Sequence, residues 1–290
     1  MARIAIIGGG SIGEALLSGL LRAGRQVKDL VLAERMPERA KYLADTYSVR
    51  VTSVTDAVEN ATFVVVAVKP ADVESVMGEL ARAAGAAETD SAEQVFVTVA
   101  AGITITYFES KLPAGTAVVR AMPNAAALVG AGVTALAKGR FVTEPQLEEV
   151  SALFDSVGGV LTVPESQMDA VTALSGSGPA YFFLMVEALV DAGVAAGLSR
   201  QVAADLTAQT MAGSAAMLLE RMDSDRPVEG EALGMRADAT AAQLRATVTS
   251  PGGTTAAALR ELERGGLRVA VDAAVQAAKK RSEQLRITSE

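Results

Sequence analysis

Over the first half of the chain, short apolar runs alternate with stretches of helical spacing. Arg3–Ile7, Leu30–Ala33, Thr62–Val68, Gln94–Ala100 and Ala117–Met122 are compact runs that predict strands. Thr62–Val68 (TFVVVAV) is nearly all β-branched or aromatic, which suits a strand buried on both faces of a parallel sheet. Between the runs, Ile12–Ala23 and Pro37–Thr46 read as helices, and Pro70 starts another, as proline at a first helical position does. Such alternation indicates βαβ units. Gly85–Glu93 is small, acidic and polar and predicts a surface loop.

Near residue 164 the pattern changes. Gly158–Val163 predicts the last strand, and nearly everything after it is helical. The expected helices are Gln167–Leu174, Pro179–Ala196, Gln201–Met222, Glu231–Thr247, Thr254–Arg264 and Leu267–Leu285. Pro179–Ala196 is apolar around most of its circumference, and a helix of that kind is buried on all sides. The helical half is too short to bury it unaided, so a second subunit is expected to cover it.

Composition narrows the chemistry. Among 290 residues there is no Cys, His or Trp. Disulfides, Cys-ligated metal centres and a thiolate nucleophile are excluded, and with His goes the Ser–His–Asp hydrolase. The set holds no expected metal site. A formal charge of −8 argues against a broad basic face for nucleic acid or anionic lipid. The opening MARIAIIGGG lacks a signal-peptide pattern, and the longest apolar stretch, Pro179–Val190, is interrupted by Glu187. A soluble, cytoplasmic protein with no membrane or nucleic-acid partner is expected.

Two motifs carry chemistry. Gly8-Gly9-Gly10-Ser11-Ile12-Gly13 fits G-x-G-x-x-G between a predicted strand and a predicted helix. Gly8 allows the tight turn, Gly10 lets backbone approach a pyrophosphate, and Gly13 lets the helix pack on the sheet. With Ser11 and Ile12, the helix start then offers free N–H groups to phosphate. Glu34 stands 21 residues after Gly13, where it would accept from a ribose 2′-hydroxyl, while Arg35 would pair with a 2′-phosphate or stack on adenine. The two argue in opposite directions, so both NADPH and NADH are expected. Ala67, Val68, Lys69 and Pro70, closing the fourth strand, and Ala101 and Gly102, after the fifth, fall where a doubly wound sheet holds its ligand. The expected fold is therefore α/β: a Rossmann-type doubly wound sheet over 1–163, then an all-helical oligomerisation domain over 164–290.

The second motif lies in the helical half. Ser175-Gly176-Ser177-Gly178-Pro179 precedes the long apolar helix, with Ser177 a natural N-cap. Thr249-Ser250-Pro251-Gly252-Gly253-Thr254-Thr255 precedes another helix. Its glycines let N–H groups converge, its hydroxyls add donors, and the loop would bind a carboxylate with no basic residue. Plain helix capping is the alternative use of both segments.

The run VTSPGGTTAAALRELE, residues 248–263, resembles the signature of pyrroline-5-carboxylate reductases. GGGSIGEALLSGL (8–20), AVKP (67–70), AAGIT (100–104), RAMPN (120–124), LSGSGPAYFF (174–183) and LERGGLRVAVDAAVQAA (262–278) resemble the same family in the same order. The resemblance implies reduction of L-1-pyrroline-5-carboxylate to L-proline with NADPH or NADH. It implies a homodimer through the helical domain, with assembly into a decamer of five dimers. By position, Ser177, Ser250, Gly252, Gly253, Thr254 and Thr255 would contact substrate. Thr255 would hydrogen-bond the ring nitrogen as the catalytic residue, and Asn124 joins the cofactor-binding set. Two rivals are weaker. A β-hydroxyacid dehydrogenase would need a catalytic lysine, and the helical half has only Lys279 and Lys280, near its end. A non-catalytic nucleotide sensor or scaffold would not need the intact 250–255 segment.

Overall fold

A computed structural model describes residues 2–86, 94–224 and 237–286. Contacts divide the chain into two compact units, Met1–Pro179 with Val275–Glu290, and Ala180–Ala274.

The first unit is built on β1 (Ile4–Ile7), β2 (Leu30–Ala33), β3 (Arg50–Thr52), β4 (Phe63–Val66), β5 (Val95–Thr98), β6 (Ala117–Pro123), β7 (Gly132–Lys138) and β8 (Gly158–Thr162). They form one sheet in the order β3-β2-β1-β4-β5-β6-β7-β8. β1 to β6 pair in parallel, in register Ile4 to Leu30 and Ile4 to Phe63 at the centre. β7 runs antiparallel to β6 and carries β8 parallel to itself. Alternate residues serve two cores. Ile4, Ile6, Phe63 and Val65 pack on one face with Leu16 and Phe154, while Ala5, Ile7, Val64 and Val66 pack on the other with Phe96 and Phe108. Burial on both faces is why these strands read as unbroken apolar runs.

The helices of this unit include α1 (Ser11–Arg22), α2 (Pro37–Tyr47), α3 (Val54–Val58), α4 (Val73–Ala86), α5 (Ile105–Lys111), α6 (Glu144–Asp155) and α7 (Met168–Val171). Pro70 opens a short 3₁₀ turn, Pro70–Asp72, ahead of α4 rather than the helix itself. α4 runs through Gly85 and Ala86, and the rest of the expected Gly85–Glu93 loop lies outside the described residues. β3, β7, α3, α5 and α6 lie beyond the sequence expectations. β3 is a three-residue edge strand, too short for a periodic signal. β7 is GVTALAK, which lacks a β-branched run. α6 had a legible start, because Thr143 and Gln146 form a reciprocal capping box ahead of it.

α8 (Gly178–Ala195) begins at the border of the units. It follows α7 through a π turn, Thr172–Gly176. Pro179 has no N–H to continue an α-helical ladder, and the wide turn stands just before it. Ser177 is helical, φ −86° and ψ −18°, and donates its N–H to Thr172 O at 2.9 Å. It is therefore part of a widened helical connection, and the N-cap role expected of Ser177 is corrected.

The second unit holds the rest of α8, then α9 (Arg200–Ser224), α10 (Ala237–Thr247), α11 (Thr254–Arg264) and the first part of α12 (Leu267–Gln284), which passes into the first unit at Val275. The start of the expected helix at Glu231 lies outside the described residues. Phe182, Phe183 and Leu184 of α8 are 62%, 61% and 68% exposed. By length and composition alone, the helical stretch 165–195 is the one candidate membrane span among the described residues.

Candidate functional sites

The first unit carries a cleft of about 500 Å³ beyond the carboxyl ends of β1 to β4. Gly8, Gly10, Glu34, Arg35, Ala67, Val68 and Lys69 line it, as does Thr52 from the edge strand. Gly8 sits at φ +106°, and a Cβ there would meet Ala67 O at 2.8 Å. A Cβ on Gly13 would fall 2.0 Å from Gly8 O, so only glycine lets α1 pack on the turn. A Cβ on Gly10 would meet nothing within 4 Å, and this open position is where a ligand can approach the backbone. Gly10 ends α1 with no side-chain cap, so the first-turn amides have no side-chain competitor for an anion. These features fit a dinucleotide pyrophosphate.

Gly9 is closely packed, since a Cβ would lie 2.4 Å from Leu43 Cδ1 and 3.1 Å from Glu34 Oε2. Its N–H donates to Glu34 Oε2 at 2.8 Å, and the N–H of Met36 donates to Glu34 Oε1 at 2.8 Å. The Glu34 carboxylate thus ties the glycine turn to the end of β2. Arg39 donates from Nε to Gly9 O at 2.7 Å and pairs with Glu14 of α1, which also accepts from Tyr47 Oη at 2.9 Å. Burial pushes the Glu14 carboxyl up, but the bonds from Arg39 and Tyr47 outweigh it and hold the group below its ordinary value. Arg39 escaped the sequence reading because no motif marks a residue that supports a loop from the next helix. Asp72, Val76 and Glu79 on the far wall escaped for the same reason.

Ser11, Ile12, Gly13, Pro70, Ala101, Gly102 and Asn124 are not in the lining of this cleft. Gly102 has a packing reason to be glycine: at φ +76°, its Cβ would lie 2.7 Å from Leu285 O. Asn124 Oδ1 accepts from the N–H of Val133 at 3.2 Å and so secures the start of β7.

In the second unit, Gly252 takes φ +71° and turns the chain into α11. Gly253 is the N-cap, extended at φ −76° and ψ 174°, with no side-chain cap. Its own N–H donates to Ser250 O at 3.0 Å. The structure thus answers the capping alternative here: a glycine ends the helix, and none of Ser250, Thr254 and Thr255 spends its hydroxyl on it. The first turn of α11 and these hydroxyls remain available to a ligand. In the first unit, Ser175 donates Oγ to Val171 O at 3.1 Å, whereas Ser177 Oγ makes no bond among the described residues.

The model of the family described as pyrroline-5-carboxylate reductase dimerisation matches residues 165–285. One described as NADP oxidoreductase, coenzyme F420-dependent, matches residues 3–102. The chain is 84% identical over 291 residues to a pyrroline-5-carboxylate reductase of Mycobacterium tuberculosis, covering 100% of this chain and 99% of the relative. A reductase of the same name from Synechocystis is 39% identical, covering 98% of both chains. Among solved structures, a pyrroline-5-carboxylate reductase from Coxiella burnetii superposes with TM-score 0.86 at 34% identity, covering 99% of each chain. A Plasmodium falciparum pyrroline carboxylate reductase with NADP bound gives TM-score 0.80 at 28% identity, covering 99% of this chain and 98% of that one.

Proposed function

Because this chain belongs to the pyrroline-5-carboxylate reductase family and reduces L-1-pyrroline-5-carboxylate to L-proline with NAD(P)H, we propose that its two glycine-rich helix starts divide the work. The first receives the cofactor and the second the substrate. The division of labour follows the chain: 1–163 binds the dinucleotide, and 164–290 binds substrate and dimerises.

Gly8, Gly10, Ser11, Ile12 and Gly13 present the turn and the first amides of α1 to the pyrophosphate. Glu34 and Arg35 face the adenosine ribose, and Ala67, Val68, Lys69 and Pro70 border the nucleotide along β4. Ala101, Gly102 and Asn124 complete the set on family resemblance alone. When bound, the nicotinamide supplies the hydride that reduces the imine carbon.

The amides of Gly252 and Thr254 hold the substrate carboxylate, with Ser250 and Thr254 adding hydroxyl donors, and Gly253, its own N–H turned to Ser250 O, lets the substrate approach the loop. Thr255 orients the ring nitrogen, and Ser177 contacts the ring. The nitrogen gains a proton as the carbon gains the hydride. A threonine hydroxyl is a poor acid, so Thr255 positions the nitrogen and passes on a proton from water, and a substrate that arrives as iminium needs none. The single observation carrying this reading is the uncapped start of α11, whose hydroxyls make no hydrogen bond among the described residues. Thr255→Val is expected to lower kcat by roughly 10- to 1,000-fold, about 1.4–4 kcal/mol. Unchanged turnover in that variant would remove Thr255 from the mechanism.

The helical domain joins two copies, and we extend this to five dimers in a decamer working in the cytoplasm. The net charge of −8 supports a partner list without nucleic acid or anionic membrane. Sedimentation of the purified protein decides between dimer and decamer.

A further inference from the structure

The nucleotide cleft contains a charge arrangement that bears on which cofactor it prefers. Three carboxylates line it, Glu34, Asp72 and Glu79, against two cations, Arg35 and Lys69. Glu34 is already committed through both oxygens to the amides of Gly9 and Met36. Arg35, the one guanidinium in the lining among the described residues, is not free either. Its Nη1 stands 2.9 Å from Asp72 Oδ1. Arg35 follows β2 and Asp72 ends the 3₁₀ turn after β4, so the pair spans the cleft from one strand end to another. Asp72 is the better fixed partner, with its side chain 27% exposed against 73% for Arg35.

Resting on the reading of this cleft as the nucleotide site, we propose that Asp72 sets the preference between NADPH and NADH by holding Arg35. A 2′-phosphate has to draw the guanidinium away from Asp72 and tolerate the carboxylate left beside it. A 2′-hydroxyl leaves the pair in place. Asp72 thus weakens NADPH selectively, and the enzyme accepts both cofactors because the cation that would take a 2′-phosphate faces an internal competitor across the cleft. Asp72 touches no reacting atom and acts through Arg35, as a specificity-determining residue.

The test compares the KM for NADPH and for NADH, at saturating pyrroline-5-carboxylate, in Asp72→Asn, Asp72→Glu, Arg35→Ala and the Arg35→Ala/Asp72→Asn double variant. Asp72→Asn is expected to lower the KM for NADPH about threefold to fivefold, the scale of an exposed ion pair. It should change that for NADH less than about 1.5-fold. Asp72→Glu keeps the pair and should keep the parent preference. Arg35→Ala should raise the KM for NADPH about tenfold, and in that background most of the Asp72→Asn effect should vanish. Equal shifts for both cofactors, or a full shift that persists without Arg35, would overturn the proposal. So would an unchanged preference in Asp72→Asn while Arg35→Ala still weakens NADPH. If no variant, Arg35→Ala included, changes either KM, the reading of the cleft as the nucleotide site falls instead.

Discussion

The two compact units treat apolar residues in opposite ways. In the sheet unit, every residue of β1, β2, β4 and β5 is buried, and both faces of the sheet have their own core. In the helical unit, Phe182, Phe183, Leu184 and Leu189 of α8 are exposed within the single chain, and Val190 is that helix's one buried apolar side chain. One unit completes its core alone. The other leaves its apolar face open within one chain, and the family model that matches it is described as a dimerisation domain. Equal apolarity along the sequence therefore has two meanings, and length separates them. A four-residue strand is covered by helices of the same chain, whereas an 18-residue helix apolar all round needs more neighbours than this chain provides.

The strongest break of this contrast is Phe183→Asp. It places a carboxylate on the face that a partner must cover, where an unpaired charge costs far more than the lost contact. The dimer should be lost in sedimentation, and turnover should fall below detection. Phe96→Ala tests the other side. Phe96 is buried in β5, and its truncation should cost about 3–5 kcal/mol in denaturant unfolding. The two variants should also differ in kind. Losing the dimer should make the melting temperature independent of protein concentration, whereas Phe96→Ala lowers it at every concentration and keeps the parent's dependence. A dimer that survives Phe183→Asp unchanged would mean that this face of α8 is not the joint.

Much of this contrast was legible in the sequence. The parallel strands declared themselves as β-branched runs, the glycine turn by its spacing, and the expectation of a second subunit rested on Pro179–Ala196 being apolar around most of its circumference. The glycine motif also gave sound packing reasons for Gly8 and Gly13. What stayed hidden depends on tertiary context. Arg39, Asp72 and the double role of Glu34 come together only because α2 and the carboxyl ends of β2 and β4 border one cleft, and no local pattern records that meeting. β7 was hidden because antiparallel pairing beside β6 lets Ala and Gly serve in a strand. Ser177 misled for a physical reason: Ser before Gly-Pro is a good cap, yet a π turn carried the helix through it.

The contrast recurs inside one helix and yields the smallest effect. α12 starts in the helical unit with Val269 and Val271 exposed and ends in the sheet unit with Ser282 buried. That end is held by polar groups. Ser282 donates Oγ to Asp169 Oδ1 at 2.7 Å, and Arg286 pairs with the other oxygen. Arg120 is buried nearby, with Nη1 3.5 Å from Glu165 and Nη2 without a partner among the described residues. Burial pushes the Asp169 carboxyl up, but Ser282, Arg286 and Arg120 outweigh it and hold the group below its ordinary value. A carboxyl lowered by folding contributes its stability in full above its unfolded value, about 3.9, and loses it as pH falls through the folded value. The clasp is therefore intact at neutral pH and fails only in acid, where protonated Asp169 also leaves Arg120 a buried cation with less compensation. Asp169→Asn should cost about 1–3 kcal/mol at pH 7 and flatten the loss of stability below pH 4. Hydrogen exchange should place the loosening in the last turns of α12, with its first turns unchanged. An acid limb as steep in Asp169→Asn as in the parent would show that this end of the helix is held by apolar packing, as the strands beneath it are.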